Sequence, residues 1–454
     1  MFGRILIANR GEIALRVIRA CGELGIETAA AHSEADRGAP WLAHADRAIC
    51  IGPARAELSY LNADAILQAA EQTDCHAIHP GYGFLSENAL FSARCAQHGI
   101  AFIGPGPGAI RRMGDKAEAK RTMESAGLAT IPGSPGTLED FRHAARIAAD
   151  IGYPILLKAT AGGGGKGMRR CEGESDLERA FAQASLEAEK AFGNRRLYLE
   201  KLIEGGRHVE FQVLCDSFGD GIHLGERECS VQRSHQKLIE ESPSPVIDSA
   251  TRRALGEQVA RATAGFGYRN AGTVEFLRAP DGSMYFMEMN TRLQVEHPVT
   301  EMVTGIDLVA AQIRIAANER LRFRQEEIRP RGHAMEFRVN AEDPENGFRP
   351  DPGTIMAFSP PASAKAGITV RWDSAILEGY RIPPHYDSMV GKVIVHGPDR
   401  KATLEGAREA LTSLRIEGVR TTVPLHLKIL DDPGFRKGDY DLGLLSKAGL
   451  VRVA

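Results

Sequence analysis

Two glutamates in a predicted β-hairpin, Glu275 and Glu288, could bind a metal ion. The apolar runs on either side of Asp281-Gly282 are typical of two antiparallel strands joined by a tight turn. A turn centred on that pair places Glu275 opposite Glu288, with Cβ atoms about 5 Å apart. Carboxylates this close repel each other unless a cation lies between them. Because side chains alternate along a strand, Asn290 shares their face, and this all-oxygen set suits magnesium carried by a nucleotide phosphate. Two glutamates on a solvated sheet face are the alternative.

The segment 160–168 is rich in glycine and follows a predicted strand. It differs from a P-loop because Lys166 precedes Gly167, where a serine or threonine would bind magnesium. Four consecutive glycines predict a flexible flap whose backbone amides close over phosphates, with an exposed hairpin as the alternative. Lys158, at the end of the strand, and Lys116 could each reach a phosphate, and a solvated side chain is the alternative for both.

The segment 225–238 is dense in side chains that form hydrogen bonds. Gln232, His235 and Lys237 offer donors for a ribose, a phosphate or a small anion. A charged surface loop is the alternative interpretation of this segment.

Residues 331–340 alternate between apolar and polar side chains, which predicts a β-strand. Met335, Phe337 and Val339 share one face of this strand, and the other face includes Arg338. Arg338 can therefore point into a cleft, although an arginine that faces solvent is the alternative.

The elements that must position these side chains begin with a parallel sheet. Residues 4–8, 12–24 and 27–31 have the pattern of a strand, a helix and a second strand, which predicts a doubly wound parallel sheet. No G-x-G-x-x-G motif follows the first strand, so a dinucleotide site is not supported. We expect an N-terminal doubly wound domain at 1–113, a helical linker at 114–131, a lid at 132–203 and a larger α+β body at 204–446.

The composition is that of a soluble globular protein. The chain has 454 residues, of which 43% are hydrophobic and 25% charged. A net charge of −3 gives no sign of nucleic-acid or membrane binding, and we expect neither kind of partner. The first residues are charged too early for a signal peptide. The seven cysteines are scattered, which favours reduced thiols and a cytoplasmic location.

Together these segments closely resemble the biotin carboxylases of the ATP-grasp superfamily. The order and spacing of the motifs are specific, and the resemblance covers nearly the whole chain. The matching segments are 4–14, 78–88, 113–116, 160–168, 206–210, 228–233 and 288–298. The resemblance implies an α/β and α+β architecture, the ATP-grasp fold, in which a small mobile lid closes over a larger C-terminal domain.

The resemblance also implies which residues form the site. The nucleotide positions are Lys116, Lys158, Gly164, Gly165, Met168, Glu200, Lys201, Leu202, Ile203, His208, Gln232, His235, Glu275 and Glu288. Two ions of magnesium or manganese are expected at Glu275, Glu288 and Asn290. The bicarbonate positions are Lys237, Arg292, Gln294, Val295 and Glu296, and the biotin positions are Tyr82 and Arg338.

The implied activity is ATP-dependent carboxylation of biotin by bicarbonate through carboxyphosphate. The alternatives are a different ATP-grasp ligase and a non-catalytic nucleotide-binding regulator. The expected catalytic residues are Lys237, Arg292, Glu296 as the general base and Arg338. No lysine lies between methionines in the biotin-accepting pattern, so biotin is expected on a separate carboxyl carrier protein.

Acetyl-CoA carboxylase is the expected context, with carboxyltransferase subunits as further partners. Carboxylation of another acyl-CoA or of pyruvate is the alternative. A homodimer is also implied, with an interface near Arg19, Glu23 and Arg371, although the loop at 360–368 departs from the family's pattern.

Overall fold

The computed structural model describes residues 1–160, 168–363 and 365–451. Its N-terminal region contains β1 (Arg4–Ile7), α1 (Gly11–Glu23), β2 (Glu27–His32), β3 (Arg47–Cys50), α2 (Ala63–Gln72), β4 (Ala77–His79), α3 (Ala89–Gln97), β5 (Ala101–Phe102), α4 (Pro107–Gly114) and α5 (Lys116–Ser125). The strands form one parallel sheet in the order β3-β2-β1-β4-β5. This confirms the parallel sheet that the strand–helix–strand pattern predicted, with differences of one or two residues at the ends of elements.

The next region of the chain contains a small three-stranded sheet and two helices. Its elements are α6 (Phe141–Ile151), β6 (Ile155–Ala159), β7 (Met168–Cys171), α7 (Glu174–Phe192) and β8 (Leu197–Lys201). The strands are antiparallel in the order β7-β6-β8, and their apolar side chains pack against alanines of α6 and α7. The glycine-rich residues 161–167, which include the predicted Gly164 and Gly165, lie outside the described residues.

The rest of the chain is organised around one large antiparallel sheet. Its elements are β9 (Arg207–Cys215), β10 (Gly221–Arg233), β11 (Gln236–Ser242), α8 (Ser249–Gly265), β12 (Asn270–Arg278), β13 (Met284–Asn290), α9 (His297–Thr304), α10 (Leu308–Ala316), β14 (His333–Asn340), β15 (Glu342–Asp343), β16 (Arg349–Pro350), β17 (Ala357–Ser359), β18 (Thr369–Ser374), β19 (Met389–Gly397), α11 (Arg400–Ser413), β20 (Arg415–Glu417), α12 (Val423–Asp431), α13 (Pro433–Lys437) and α14 (Leu444–Lys447). Eight of these strands pair in the order β13-β12-β9-β10-β11-β14-β19-β18 and form what we call the central sheet.

Strand β9 shows why one face of the central sheet carries the chemistry. All nine of its residues are buried. Val209, Phe211 and Val213 belong to an apolar core. Because side chains alternate along a strand, His208 and Glu210 lie on the opposite face. That face is buried and polar, which requires each polar group to find a partner.

The hairpin of β12 and β13 pairs Glu275 with Glu288, as predicted, although the turn differs from the prediction. Next to the turn Arg278 pairs with Met284, one residue short of the predicted register. A bulge after Glu275 then restores that register. The loop is therefore one residue longer than a two-residue turn, and the extra residue in β13 compensates for it.

The segment 225–238 is part of a second hairpin and not a charged surface loop. Strands β10 and β11 occupy most of it, and they turn at Ser234 and His235, which both have positive φ. None of the helices in the described parts of the chain has both the length and the apolar character needed to cross a bilayer.

Candidate active site

Lys237 is the centre of a buried cluster of charges on the polar face of the central sheet. Its Nζ lies 2.5 Å from Glu210 Oε2, 2.6 Å from Glu296 Oε1 and 3.0 Å from Glu275 Oε1. The first two partners come from β9 and from the turn before α9, and the third comes from β12. The fold therefore places one ammonium group among three carboxylates that are distant in sequence.

The charges in this cluster determine the protonation states. Burial alone lowers the pKa of Lys237, but Glu210, Glu275 and Glu296 raise it well above its ordinary value. Burial raises the pKa of Glu296, but Lys237 and Arg338 lower it well below its usual range. Glu296 is therefore an ionised carboxylate that can accept a proton.

Arg227 holds several members of this cluster in place through hydrogen bonds. No pattern in the sequence singled it out. Its side chain is fully buried, and it donates to five oxygen atoms at 2.6–3.1 Å. These acceptors belong to Glu210, Gln212, Thr273, Gln294 and Thr300. All five donor hydrogens of the guanidinium group are thus used, which fixes Glu210 and Gln294 in place.

Arg338 lies between two glutamates and does not face solvent. Its Nε donates to Glu240 Oε1 at 2.6 Å, and its Nη2 lies 2.9 Å from Glu296 Oε2. Burial and the charge of Glu296 raise the pKa of Glu240 to about 7, although Arg338 opposes this. Glu296 thus bridges Lys237 and Arg338, two of the cations that line the cavity.

The predicted metal ligands lie together, but in different surroundings. Glu275 is buried and accepts hydrogen bonds from Asn290 Nδ2 at 2.8 Å and from Gln294 Nε2 at 3.0 Å. The side chain of Glu288 is 45% exposed, and its Oε2 lies 4.0 Å from Lys116 Nζ. Partial desolvation and the charge of Glu275 raise the pKa of Glu288, and a divalent cation between the two carboxylates would relieve their repulsion. These oxygen donors therefore fit magnesium.

Arg292 is oriented by a residue of the N-terminal region. Glu87 accepts from Arg292 Nε at 2.8 Å and from the backbone N–H of Thr291 at 2.9 Å. Arg292 also donates to Asn290 Oδ1 at 3.0 Å. The arginine is thus connected to the predicted metal ligands.

One cavity of about 450 Å³ joins the predicted bicarbonate and biotin positions. Its lining includes Tyr82, Lys237, Arg292, Val295 and Arg338. Gln294 and Glu296 flank Val295 and are buried, and each bonds to the cluster around Lys237. All the residues predicted for these two ligands therefore lie in or directly beside one cavity.

The three-stranded sheet, in the segment predicted to be the lid, contributes a second, smaller group of charges. The buried carboxylate of Glu200 forms ion pairs with Lys158 and with Lys120 of α5. Burial raises the pKa of Glu200, but these two lysines together lower it below its ordinary value. Lys158 also pairs across strands with Met168.

Four other predicted nucleotide positions are less closely connected. Lys201 points its ammonium at the backbone carbonyls of Gly152 and Tyr153, away from the cluster around Lys237. Leu202 and Ile203 directly follow β8, and the backbone N–H of Leu202 donates to Pro154 at 3.1 Å. His235 is exposed at the tip of the β10–β11 hairpin.

His208 and Gln232 connect the predicted nucleotide positions to the predicted metal positions. Gln232 Nε2 lies 2.8 Å from His208 Nδ1, and His208 Nε2 lies 3.1 Å from Glu275 Oε2. Burial lowers the pKa of His208, but Glu275 and Glu210 raise it above its usual value.

The residues predicted for a dimer interface also lie together. Arg19 and Glu23 of α1 line a surface groove of about 370 Å³ with Arg371. Arg371 Nη1 donates to Glu301 Oε2 at 2.7 Å, and Arg16 donates to Glu301 Oε1 at 3.0 Å.

Family models and relatives agree along the chain. The models described as "Biotin carboxylase, N-terminal domain", "Carbamoyl-phosphate synthase L chain, ATP binding domain" and "Biotin carboxylase C-terminal domain" match residues 1–110, 115–324 and 336–447. A biotin carboxylase of Nostoc sp. is 53% identical over 98% of this chain and 99% of the relative. A biotin carboxylase of Haemophilus influenzae is 50% identical over the same shares of the two chains.

Solved structures give the same result. One similar structure is the biotin carboxylase domain dimer of the Hydrogenobacter thermophilus 2-oxoglutarate carboxylase, in complex with MgADP, ADP and bicarbonate. Its TM-score is 0.93 and its sequence identity 49%, and the match covers 100% of this chain and 99% of that one. The biotin carboxylase–β,γ-ATP complex from Campylobacter jejuni has a TM-score of 0.93 and 48% identity over 98% of this chain and 99% of that one. The chain belongs to the biotin carboxylase family of ATP-grasp ligases.

Proposed function

We propose that this chain carboxylates biotin held by a carrier protein, using ATP and bicarbonate, and that carboxyphosphate is the intermediate. The observation that carries the proposal is Glu296, an ionised carboxylate held between Lys237 at 2.6 Å and Arg338 at 2.9 Å beside a cavity of about 450 Å³. A proton acceptor flanked by two cations suits a reaction that binds an anion and deprotonates it.

In the first half of the reaction, Lys237 and Arg292 bind bicarbonate. Glu296 accepts its proton, and the resulting oxygen attacks the γ-phosphorus of ATP while the bond to ADP breaks. Binding of the anion shares the charge of Lys237, which raises the basicity of Glu296. Carboxyphosphate is unstable in water, so closure of the lid over the nucleotide protects it.

In the second half, carboxyphosphate breaks into CO2 and phosphate. The phosphate removes the N1′ proton of biotin, and N1′ then forms a bond to the carbon of CO2. Arg338 stabilises the negative charge on the ureido oxygen, while Glu240 holds the guanidinium group in position. Tyr82 lines the same cavity, and we propose that it contacts biotin there.

The proposed metal site adjoins this cavity, because Glu275 contacts Lys237 and Asn290 contacts Arg292. Of the proposed nucleotide residues, Lys116 lines a separate cavity of about 400 Å³. Lys116, Lys158 and His208 would bind the phosphates, and Glu275, Glu288 and Asn290 would hold magnesium. A bound magnesium ion neutralises the charge that develops on the transferred phosphoryl group. Manganese has the same preference for oxygen ligands and is an alternative ion.

We propose acetyl-CoA as the final carboxyl acceptor, through separate carboxyltransferase subunits, as in fatty acid synthesis. Pyruvate and 2-oxoglutarate are the alternatives, because pyruvate and 2-oxoglutarate carboxylases are named among the similar structures. We also propose a homodimer, supported by the groove at Arg19, Glu23 and Arg371. Seven cysteines, all with free thiols, support a reducing, cytoplasmic location.

Release of ADP by the purified chain tests the activity. We expect it to require bicarbonate and to rise when free biotin is added, and labelled bicarbonate should appear in carboxybiotin. Release of ADP without bicarbonate, unaffected by biotin, would contradict the proposal, and stimulation by an amino acid would favour a different ATP-grasp ligase. Mass spectrometry of the subunits that copurify with the chain identifies the acceptor.

A further inference from the structure

Lys392 is a fully buried lysine that no step of the proposed mechanism uses. It lies on β19, where its cross-strand partner is Arg338 on β14. Two cations directly opposite each other are destabilising unless each has its own partners. Glu240 and Glu296 form ion pairs with Arg338. Lys392 must therefore be stabilised by other groups.

The first contact of Lys392 is with the segment that carries the general base. Its Nζ donates to the backbone carbonyl of Val295 at 2.8 Å. Val295 lines the cavity, and Glu296 follows it directly. A hydrogen bond from a charged donor to this carbonyl therefore fixes the peptide group from which the side chain of Glu296 extends.

The second contact leads to the biotin end of the cavity through another domain. Lys392 Nζ lies 3.3 Å from Oε1 of Glu12, a residue of helix α1 in the N-terminal region. The same Glu12 oxygen accepts a hydrogen bond from the hydroxyl group of Tyr82, which lines the cavity. One ammonium group thus joins Tyr82, Val295 and the strand next to Arg338.

Lys392 lies near the buried carboxyl groups of Glu12, Glu336 and Asp373. Glu12 Oε2 and both carboxylate oxygens of Glu336 are buried and have no hydrogen-bond partner among the residues that the structure describes. Burial lowers the pKa of Lys392, but Glu12, Glu336 and Asp373 together raise it above its ordinary value. Burial raises the pKa of Glu12 to about 7 and that of Glu336 well above its ordinary value, and Lys392 opposes both shifts. Lys392 is therefore a cation that favours the ionised form of these two carboxyl groups.

We infer that Lys392 is a positioning residue for the carboxylation of biotin. It acts through the Val295 carbonyl and through Glu12, and so sets the places of Glu296 and Tyr82 around the bound biotin. This inference rests on the proposed function, because it assigns biotin to the cavity beside Arg338.

The substitutions Lys392→Met and Lys392→Arg test it in steady-state assays with free biotin and with ATP. We expect the methionine variant to lose about 10- to 100-fold in kcat/KM for biotin, the range for small displacements of a reacting group. Its KM for ATP should stay within about twofold, because the predicted nucleotide residues make none of these contacts. The arginine variant retains a charged donor and should recover most of the loss.

The control is Arg400→Met. Arg400 is largely buried and pairs with Glu241 at 2.7 Å, away from the cavity. We expect this variant to be less stable, with an unchanged KM for biotin. Should Lys392→Met fail to fold, Glu12→Gln removes the ion pair but keeps an acceptor for Tyr82, and it should raise the KM for biotin.

The inference is overturned by a Lys392→Met enzyme whose kcat/KM for biotin matches the wild type, or by Lys392→Met and Arg400→Met enzymes that lose activity equally with every substrate. For an unfolded Lys392→Met, a Glu12→Gln enzyme with an unchanged KM for biotin has the same consequence. A wild-type enzyme that does not carboxylate biotin would instead contradict the proposed function.

Discussion

The central sheet and the predicted lid differ in how deeply they bury the charged side chains of the candidate active site. The sheet fully buries charged groups that pair with each other, as Arg227 does with Glu210. In the lid, Glu200 is the one buried charged side chain among those that the structure describes, and its lysine partners are about one-fifth exposed. Apolar packing of α6 and α7 holds the rest of the lid together.

This difference separates two tasks within one site. Buried pairs cost desolvation energy, but they hold reacting groups in one geometry. Under the proposed function, partly exposed lysines would bind a nucleotide at low cost, because they can change partners when the nucleotide enters. We therefore propose that the sheet supplies preorganised groups for the chemical steps and that the predicted lid supplies groups for binding.

Arg227→Met is the strongest test of the sheet's part in this comparison. The substitution leaves Glu210 buried without its arginine partner, and breaking a buried pair on one side costs about 3–5 kcal/mol. We expect the free energy of unfolding in urea to fall by that amount. Arg170→Met in the lid removes exposed pairs with Glu172 and Glu204 and should leave the urea midpoint nearly unchanged.

Equal destabilisation by the two substitutions would remove the distinction between sheet and lid.

Glu296→Ala tests whether the sheet supplies the chemistry. Removal of a general base should lower bicarbonate-dependent ATP turnover by about 100-fold or more. A matched control is Glu301→Gln, which alters a buried carboxylate of the same segment that pairs with Arg16 and Arg371 outside the cavity. ADP release by a coupled assay at saturating ATP measures both variants. Turnover by Glu296→Ala at the wild-type rate would support a non-catalytic nucleotide-binding protein.

Lys158→Met tests whether the lid supplies binding. We expect a rise of about tenfold in the dissociation constant of ADP, because an interaction of a charged donor with phosphate is lost. Lys190→Met, at an exposed position of α7, is the control in the same domain and should bind ADP like the wild type. Isothermal titration without bicarbonate isolates this step. A lower kcat with unchanged ADP affinity would assign Lys158 to the chemistry instead.

Local patterns in the sequence predicted the elements and some of the site. Alternation along β14 placed Met335, Phe337 and Val339 in the core, and it placed Arg338 on the opposite face, where the cavity lies. The pairing of Glu275 with Glu288 was predicted from a turn that is one residue too short, and the bulge in β13 compensated for that error. Strand register thus depends on more than the turn.

The contacts that complete the site could not be predicted in this way. Arg227 and Glu210 lie on neighbouring strands, but no local pattern distinguishes a buried arginine from an exposed one. Arg292 and Glu87 are 205 residues apart, and only the packing of the N-terminal region against the central sheet brings them together. Lys120 pairs with Glu200 across the boundary between the linker helix and the lid. Such partners follow from tertiary structure, which a single sequence does not specify locally.

The smallest predicted effect concerns Glu241, a buried sheet carboxylate outside the cavity. Burial raises its pKa, but His333 and Arg400 lower it to about 2. A carboxylate with a lowered pKa in the folded state contributes stability above its unfolded pKa near 4.5, and loses it as pH falls toward 2. Between pH 7 and pH 4 the wild type should therefore lose about 1 kcal/mol through this group, and Glu241→Gln should not. Urea unfolding of both proteins at the two pH values measures the difference, and parallel losses would show that Glu241 is not held as an ion pair.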